Sequence, residues 1–231
     1  MSYTEKDLAG FKERTLNPTD TFTFTCKMCG NCCRNRQSPI LLTGVDTYYI
    51  AKALGKKVDQ TIVDKARMIM GADSHIPIFV LKERSDGSCS LLRNGKCMVH
   101  ASGKPCVCKL YPLGRYFDVT DSKPYYFTQS NACGEENGKL WTLQEWLDEF
   151  HIEDNIEDVE VWTKFLMGVV PVTHKIPNNK MSSAMRYTLV KYLYGEYDIH
   201  KPYIEQAEAN MIALQKEFKE KYNLKVEFKS E

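Results

Sequence analysis

The chain has 231 residues, of which 43% are hydrophobic and 26% are charged, and its formal net charge is +1. This is the composition of an ordinary globular protein with one domain or two small ones. No apolar run approaches the roughly 20 residues that a transmembrane helix needs, so the sequence predicts a protein without such a helix. The N-terminus also lacks the apolar stretch of a secretory signal, so we expect a cytoplasmic protein whose thiols are reduced.

Charge is divided unevenly along the chain. Residues 1–133 carry 19 Lys and Arg against 12 Asp and Glu, a balance of +7, whereas residues 134–231 carry 12 against 18, a balance of −6. All nine cysteines lie in the basic part. Several thiolates at one site are stabilised by nearby cations, so the basic part suits a metal centre. The cations are dispersed, with no run of five or more, which argues against nucleic acid as a partner.

The strongest local signal is the segment Cys26-Lys-Met-Cys29-Gly-Asn-Cys32-Cys33. Cys-x-x-Cys spacing allows two sulfurs to bind one tetrahedral ion, and the glycine after Cys29 favours the tight turn that such a loop needs. The adjacent side chains of Cys32 and Cys33 are expected to point in different directions. We therefore predict that these two sulfurs do not share one mononuclear ion, which favours a second metal or a multinuclear cluster.

Short regular elements flank this segment. Alternation of Phe and Thr predicts a strand, and Thr43 with Asp46 forms a capping box that opens a helix closed by Gly55. A later apolar run contains a proline, which predicts an edge strand. The predicted elements are a strand over 21–25, helices over 44–54 and 59–70, and the edge strand over 76–81.

Two further cysteines flank a predicted hairpin. Asn94-Gly95 between short apolar runs indicates a two-residue turn, which brings Cys89 near Cys97. In a regular hairpin these two side chains would face opposite sides of the ribbon. Either the hairpin is bulged or the two sulfurs serve different sites. His100 would lie beside Cys89, which makes its imidazole a secondary candidate ligand.

The remaining cysteines lie near prolines and after a second hairpin. Prolines bracket Cys106 and Cys108 and disfavour a helix there, so we expect a rigid loop. Aromatic runs predict a hairpin over 115–129, and Cys133 follows it.

The last part of the chain has no cysteine and is predicted to be helical. A capping box formed by Thr142 and Glu145 opens its first helix, and Pro171 and Pro177 flank a loop. The predicted helices cover 142–151, 156–168, 180–194 and 201–222. We expect an α+β fold that is mostly α. In it, a metal-stapled cysteine-rich region over 1–138, with short hairpins and two helices, is followed by a helical region over 139–231 packed on it, as two parts or as one continuous domain.

Taken in order, the cysteines resemble a known family. The pattern C-x2-C-G-x-C-C, C-x7-C, Lys-Pro-x-x-Cys-x-x-Tyr-Pro and Cys-Gly, over about residues 22–135, is similar to the bacterial and archaeal YkgJ-type cysteine-cluster family of zinc- or iron-chelating proteins, often named Fe–S oxidoreductases. In this chain Cys106 is extra and His100 stands where an aromatic residue is common, so both are secondary candidates. The resemblance implies metal binding through eight cysteines: Cys26, Cys29, Cys32, Cys33, Cys89, Cys97, Cys108 and Cys133.

Eight thiolates can form two sites of four. Zinc would give tetrahedra whose role is folding, whereas iron–sulfur clusters would have redox capacity. The spacing of Cys26, Cys29 and Cys32 copies the first three positions of the bacterial ferredoxin run. With the naming of the family, this favours an iron–sulfur cluster that has a redox or accessory role in an oxidoreductase or modification reaction.

The alternative is a zinc-binding structural or partner-interaction module without catalysis. Whether the chain is an enzyme stays open, because no nucleotide-binding or nucleophile motif stands out. The expected partner is a protein, such as a redox partner, rather than nucleic acid or a membrane.

Overall fold

The computed structural model describes residues 5–34, 39–117, 124–129 and 137–228. Within these residues the chain has the predicted α+β fold, in which helices dominate and the strands form small antiparallel sheets. In the same part of the chain, no helix combines the length and the apolar character that crossing a bilayer requires. Cys133 and the tip of the second hairpin lie outside the described residues.

The elements fall into two groups along the chain. Those of the cysteine-rich part are α1 (Glu5–Lys12), β1 (Thr21–Phe24), a 3-10 turn (Asn31–Cys33), β2 (Leu41–Leu42), α2 (Gly44–Leu54), α3 (Val58–Lys65), β3 (Ala66–Met70), β4 (Pro77–Leu81), β5 (Leu92–Arg93), β6 (Lys96–Cys97), α4 (Cys106–Leu110), β7 (Leu113–Phe117) and β8 (Pro124–Thr128). Those that follow are β9 (Lys139–Thr142), α5 (Leu143–Glu149), α6 (Ile156–Thr173), α7 (Ser183–Val190), a π turn (Lys191–Gly195) and α8 (Tyr203–Tyr222).

Helix α2 begins and ends where its capping residues predict. The Thr43 hydroxyl accepts from the Asp46 backbone N–H at 3.0 Å, and the Asp46 carboxylate accepts from the Thr43 backbone N–H at 2.9 Å. At the other end, Gly55 has φ 61°, the left-handed conformation that glycine adopts at low cost. The capping box at Thr142 and Glu145, which opens α5, is confirmed in the same way.

Only the first half of the second predicted helix, 59–70, is helical in the structure. Helix α3 ends at Lys65, and the next five residues form β3, which pairs antiparallel with β4 so that Met70 lies opposite Pro77. Strand β4 lies between β2 and β3, so the predicted edge strand is in fact central. Pro77 is tolerated there because it is the first residue of the strand, where a backbone N–H is not needed for the ladder.

Two prolines cap or lie within helices at positions where the sequence predicted a loop. Pro105 is the N-cap residue of α4, whose first-turn N–H groups have no intrahelical partner in any case. The expected rigid loop around Cys106 and Cys108 is therefore a short helix. Pro171 lies in the last turn of α6, which the Thr173 hydroxyl anchors by donating to the Ser74 carbonyl at 2.7 Å.

Two hydrophobic cores join the two parts of the chain. The larger contains Tyr48 of α2 and Leu91 together with Phe165 of α6 and Leu214 of α8. The smaller contains Phe24, Leu110 and Leu113 from the cysteine-rich part and Trp141, Leu143, Trp146 and Leu147 from the following part. Strand β1 also pairs with β9, with Thr21 opposite Thr142. The boundary between 138 and 139 stays a prediction, but both cores and one sheet cross it.

The cysteine segments lie against both cores. Cys89 is part of the larger core, and Cys33 and Cys97 pack against it while partly exposed. Cys106 packs against the smaller core. The fold therefore brings together segments that are far apart in the chain at one place between α2, the β5–β6 hairpin and α4.

Candidate metal centre

The first cysteine loop is held against the β5–β6 hairpin by a tight turn. Gly30 has φ 74°, and its carbonyl accepts from the Cys33 backbone N–H at 3.0 Å. A Cβ atom at Gly30 would lie 3.3 Å from Leu92 Cδ1 and 3.4 Å from the Gly95 carbonyl oxygen. Glycine is needed here both for its positive φ and for this close approach.

A backbone hydrogen bond connects the loop to the chain before the hairpin. The Cys89 N–H donates to the Cys33 carbonyl at 2.8 Å, and Arg34 forms an antiparallel bridge with Ser88. Cys89 is buried, with 3% of its surface exposed, and its sulfur accepts from the Leu91 backbone N–H at 3.4 Å. The hairpin itself has the predicted register, with Leu92 opposite Cys97.

The sulfurs of Cys32 and Cys33 lie 3.9 Å apart. These adjacent side chains do not lie on the opposite faces that an extended backbone would give them. They belong to the 3-10 turn Asn31–Cys33, where successive side chains are separated by roughly 120° around the axis, instead of alternating across an extended strand.

Other thiols surround this pair. The pKa of Cys33 is raised by its hydrogen bond with Cys32, then by burial, and then by the charges of Cys32, Cys89 and Cys97. The pKa of Cys108 is raised to about 12, mainly by burial, with smaller contributions from Cys89 and Cys32 that the charge of Lys104 opposes. The charges of Cys32 and Cys89 thus act on three other thiols, those of Cys33, Cys97 and Cys108, which places these five cysteines in one neighbourhood.

The cysteine segments are basic. Residues 21–34 and 88–117 contain no Asp or Glu. The charge of Lys104 lowers the pKa of both Cys97 and Cys108 against the larger effect of burial. Cations of this kind favour thiolate, the form that binds metal. The seven cations are Lys27, Arg34, Arg93, Lys96, Lys104, Lys109 and Arg115.

One acidic residue from elsewhere in the chain reaches the centre. Asp46 is 8% exposed, and its two carboxylate oxygens have different partners. One accepts from the backbone N–H and the hydroxyl of Thr43, at 2.9 and 2.8 Å, and the other accepts from the Cys106 backbone N–H at 3.0 Å. Sequence reasoning identified the capping box but not the bond to Cys106, which lies 60 residues further on.

The other candidates lie at the edges of this group or outside the described residues. Cys26 and Cys29 are exposed in the loop before the turn, and His100 is exposed near Lys104, whose charge adds to the lowering of its pKa by partial burial. The half-buried Cys106 has the guanidinium of Arg115 as a neighbour. Cys133 lies outside the described residues. The assignment of these five residues as ligands stays a prediction.

The donor set has the right chemistry for a thiophilic metal. The described ranges contain eight cysteines, and thiolates favour zinc and iron over hard cations. Among the described side chains, no three Cys, His, Asp or Glu lie where they could hold one ion.

The comparisons agree with the chemistry of the donors. A family model with the signature CxxCxxCC, described as "Putative zinc- or iron-chelating domain", matches residues 25–134. No match to the chain was found among curated proteins or among solved structures. The matched range contains all nine cysteines and the whole of the group described above, and it confirms the resemblance indicated by their order. Over residues 25–134, slightly less than half of the chain, the sequence thus matches the CxxCxxCC family of zinc- or iron-chelating domains.

Proposed function

We propose that the protein binds one zinc ion, with both Cys32 and Cys33 as ligands, and that this ion staples the first cysteine loop to the rest of the fold. The sulfur separation of 3.9 Å carries the proposal. Zinc–sulfur bonds of about 2.3 Å at a tetrahedral angle place two thiolates about 3.8 Å apart. The pair therefore already has the spacing of two ligands on one ion.

The remaining ligands come from the three thiols that surround the pair. Cys89 lies one hydrogen bond from Cys33, Cys97 is on the β6 strand of the adjacent hairpin, and Cys108 is on α4. An ion held by sulfurs from these segments would crosslink the first cysteine loop, the β5–β6 hairpin and α4. Structural zinc contributes directly to the free energy of folding in this way.

Exposed apolar side chains next to the cysteines support a role in binding a partner protein. Met28, Met98 and Val107 are 42%, 39% and 42% exposed, and each is adjacent to a cysteine in the chain. Exposed methionines are common at adaptable binding surfaces. A zinc-stapled interaction module accounts for both the metal ligands and this exposed apolar area.

The competing function is the iron–sulfur protein predicted from the spacing and the naming of the family. Its support is the number of thiols, since five lie together and Cys26 and Cys29 precede them at ferredoxin-like spacing. A [4Fe–4S] cluster would bind each of four thiolates to a separate iron, and it would give the protein a redox or accessory role.

Metal analysis of the protein purified without oxygen decides between these functions. We expect a colourless protein with one zinc per chain, zinc loss in Cys33→Ser, and full zinc content in the matched control Cys106→Ser. Stoichiometric iron and acid-labile sulfide, with broad visible absorption that bleaches on reduction, would establish the iron–sulfur protein instead. A folded protein that takes up neither metal would overturn both.

A further inference from the structure

We propose that Asp46 is a positioning residue of the metal centre, which joins the start of α2 to the start of α4 and so holds Cys108 towards the other cysteines. This inference rests on the proposed metal binding. It adds a residue that is neither a cysteine nor a ligand, and it explains how a segment about 75 residues beyond the first loop is brought to the centre.

The two carboxylate oxygens of Asp46 contact the starts of two different helices. Oδ2 closes the capping box with Thr43, which fixes the carboxylate relative to α2. Oδ1 accepts from the Cys106 backbone N–H at 3.0 Å. Helix α2 is itself firmly anchored, because Tyr48, Ile50 and Ala51 are each at most 1% exposed in the larger core. The carboxylate therefore connects α4 to a rigid element.

Helix α4 transmits this contact to Cys108. The helix has five residues, and the backbone N–H of Cys108 donates to the Pro105 carbonyl at 2.8 Å in its first turn. A shift of the Cys106 backbone would therefore move the Cys108 sulfur with it. That sulfur lies within electrostatic reach of Cys32 and Cys89, and of Asp46.

The role of Asp46 is one of position, because its negative charge by itself raises the pKa of both Cys106 and Cys108 and so disfavours thiolate. Carboxylates and carbonyls that orient metal ligands typically contribute about 10- to 100-fold to metal affinity. Asp46 would act in this way through the backbone of α4 instead of through a ligand side chain.

The chain offers a matched control in its second capping box. At the start of α5, Glu145 accepts from the Thr142 backbone N–H at 2.8 Å, and the Thr142 hydroxyl accepts from the Glu145 N–H at 3.1 Å. Glu145→Gln weakens this box as Asp46→Asn weakens the first, but it leaves α4 untouched. Thr43→Ala gives an intermediate case, because it removes the hydroxyl that donates to Oδ2 at 2.8 Å but leaves the bond from the Thr43 backbone N–H in place.

The experiment measures zinc affinity of the full chain by competition with a chromophoric chelator, together with the absorption spectrum of the cobalt-substituted protein. Asp46→Asn should weaken zinc binding by about 10- to 100-fold. It should also lower the thiolate-to-cobalt charge-transfer absorption per bound cobalt, because Cys108 no longer reaches the ion. Glu145→Gln should lower the melting temperature but leave the zinc affinity and the cobalt spectrum unchanged. Thr43→Ala should weaken zinc binding by less than Asp46→Asn, because one of the two bonds that hold Oδ2 remains.

A second variant covers the case in which Asp46→Asn does not fold. Asp46→Glu keeps the charge and supplies the residue usual at this capping-box position, while its longer side chain displaces the oxygen that reaches Cys106. It should show the same loss of zinc affinity. In a Cys108→Ser background, Asp46→Glu should have no further effect on zinc affinity, because its action passes through Cys108.

The outcomes separate the inference from the proposed function. If the wild-type chain binds zinc and the folded Asp46 variants bind it with the same affinity and cobalt spectrum, the positioning role is wrong and the metal site stands. If the wild-type chain binds no zinc, the proposed function itself fails. An equal loss of affinity in Glu145→Gln would show that helix stability alone is responsible and would also refute the positioning role.

Discussion

The adjacent sulfurs of Cys32 and Cys33 show how a local backbone choice decides what a residue can do. In an extended segment their side chains would point to opposite sides, and two ions or a cluster would be needed to bind both. The 3-10 turn after Gly30 places the sulfurs 3.9 Å apart instead. One residue with positive φ thus brings two adjacent thiols to the spacing that two ligands of one ion would have.

Cys32→Ser tests whether this pair of cysteines binds zinc. Cys32 is exposed, so its replacement should change the stability of the metal-free protein by less than about 0.5 kcal/mol. At a zinc concentration 1,000 times the Kd, the wild-type chain should gain about 4 kcal/mol from binding, and the variant should lose most of this gain. Urea denaturation with and without zinc measures both quantities. A variant that keeps the full zinc-dependent gain would remove Cys32 from the ligand set.

The contact between α2 and the segment before α4 shows how closely these elements must approach to bring the cysteines together. A Cβ atom added to Gly103 would lie 2.5 Å from the Ala53 Cβ and 2.6 Å from the Tyr49 carbonyl oxygen. The carbonyl is helix backbone and cannot rotate away. Gly103 therefore sets the distance at which the chain between Cys97 and Cys106 passes over α2.

Gly103→Ala should destabilise the protein by about 1–3 kcal/mol, because the methyl group forces the segment away from α2. The segment carries cysteines at both ends, so zinc affinity should fall as well. Gly10→Ala is the control, since a Cβ at Gly10 meets no atom within 4 Å and alanine favours the α1 helix. Chemical denaturation compares the two variants, and equal stabilities would contradict the close contact.

Each of the two cores is built from both parts of the chain. The larger core combines α2 and the sheet around β4 with α6 and α8, and the smaller combines β1 and α4 with β9 and α5. In addition, the Trp141 indole N–H donates to the Phe24 carbonyl at 2.9 Å across 117 residues. Neither part of the chain buries its apolar surface without the other.

A fragment of residues 1–138 should therefore fail to fold, even with excess zinc. It lacks β9, which pairs with β1, and the helices that cover one side of the larger core. Near-ultraviolet circular dichroism and amide proton dispersion should both show the loss of fixed packing, whereas the full chain retains it. A fragment that folds and binds zinc would establish residues 1–138 as an independent domain.

The features that could be predicted from the sequence depend on residues close together in the chain. The capping boxes at Thr43 and Thr142, the Asn94-Gly95 turn and the end of α2 at Gly55 are each determined within about five residues, because backbone N–H groups at these points need local partners. The ordered cysteine spacing likewise sufficed to identify the family. Burial and long-range pairing played no part in these inferences.

The features that only the tertiary structure could decide depend on contacts between residues that are far apart in the sequence. Residues 66–70 have a helical pattern but form a strand, because β4 offers them a full ladder of hydrogen bonds. The bond from Cys106 to Asp46 and the meeting of Cys108 with Cys32 and Cys89 arise only when two cores bring distant segments together. Cysteine types and spacings therefore indicated zinc or iron chelation, whereas packing around α2 decided which cysteine segments lie close together.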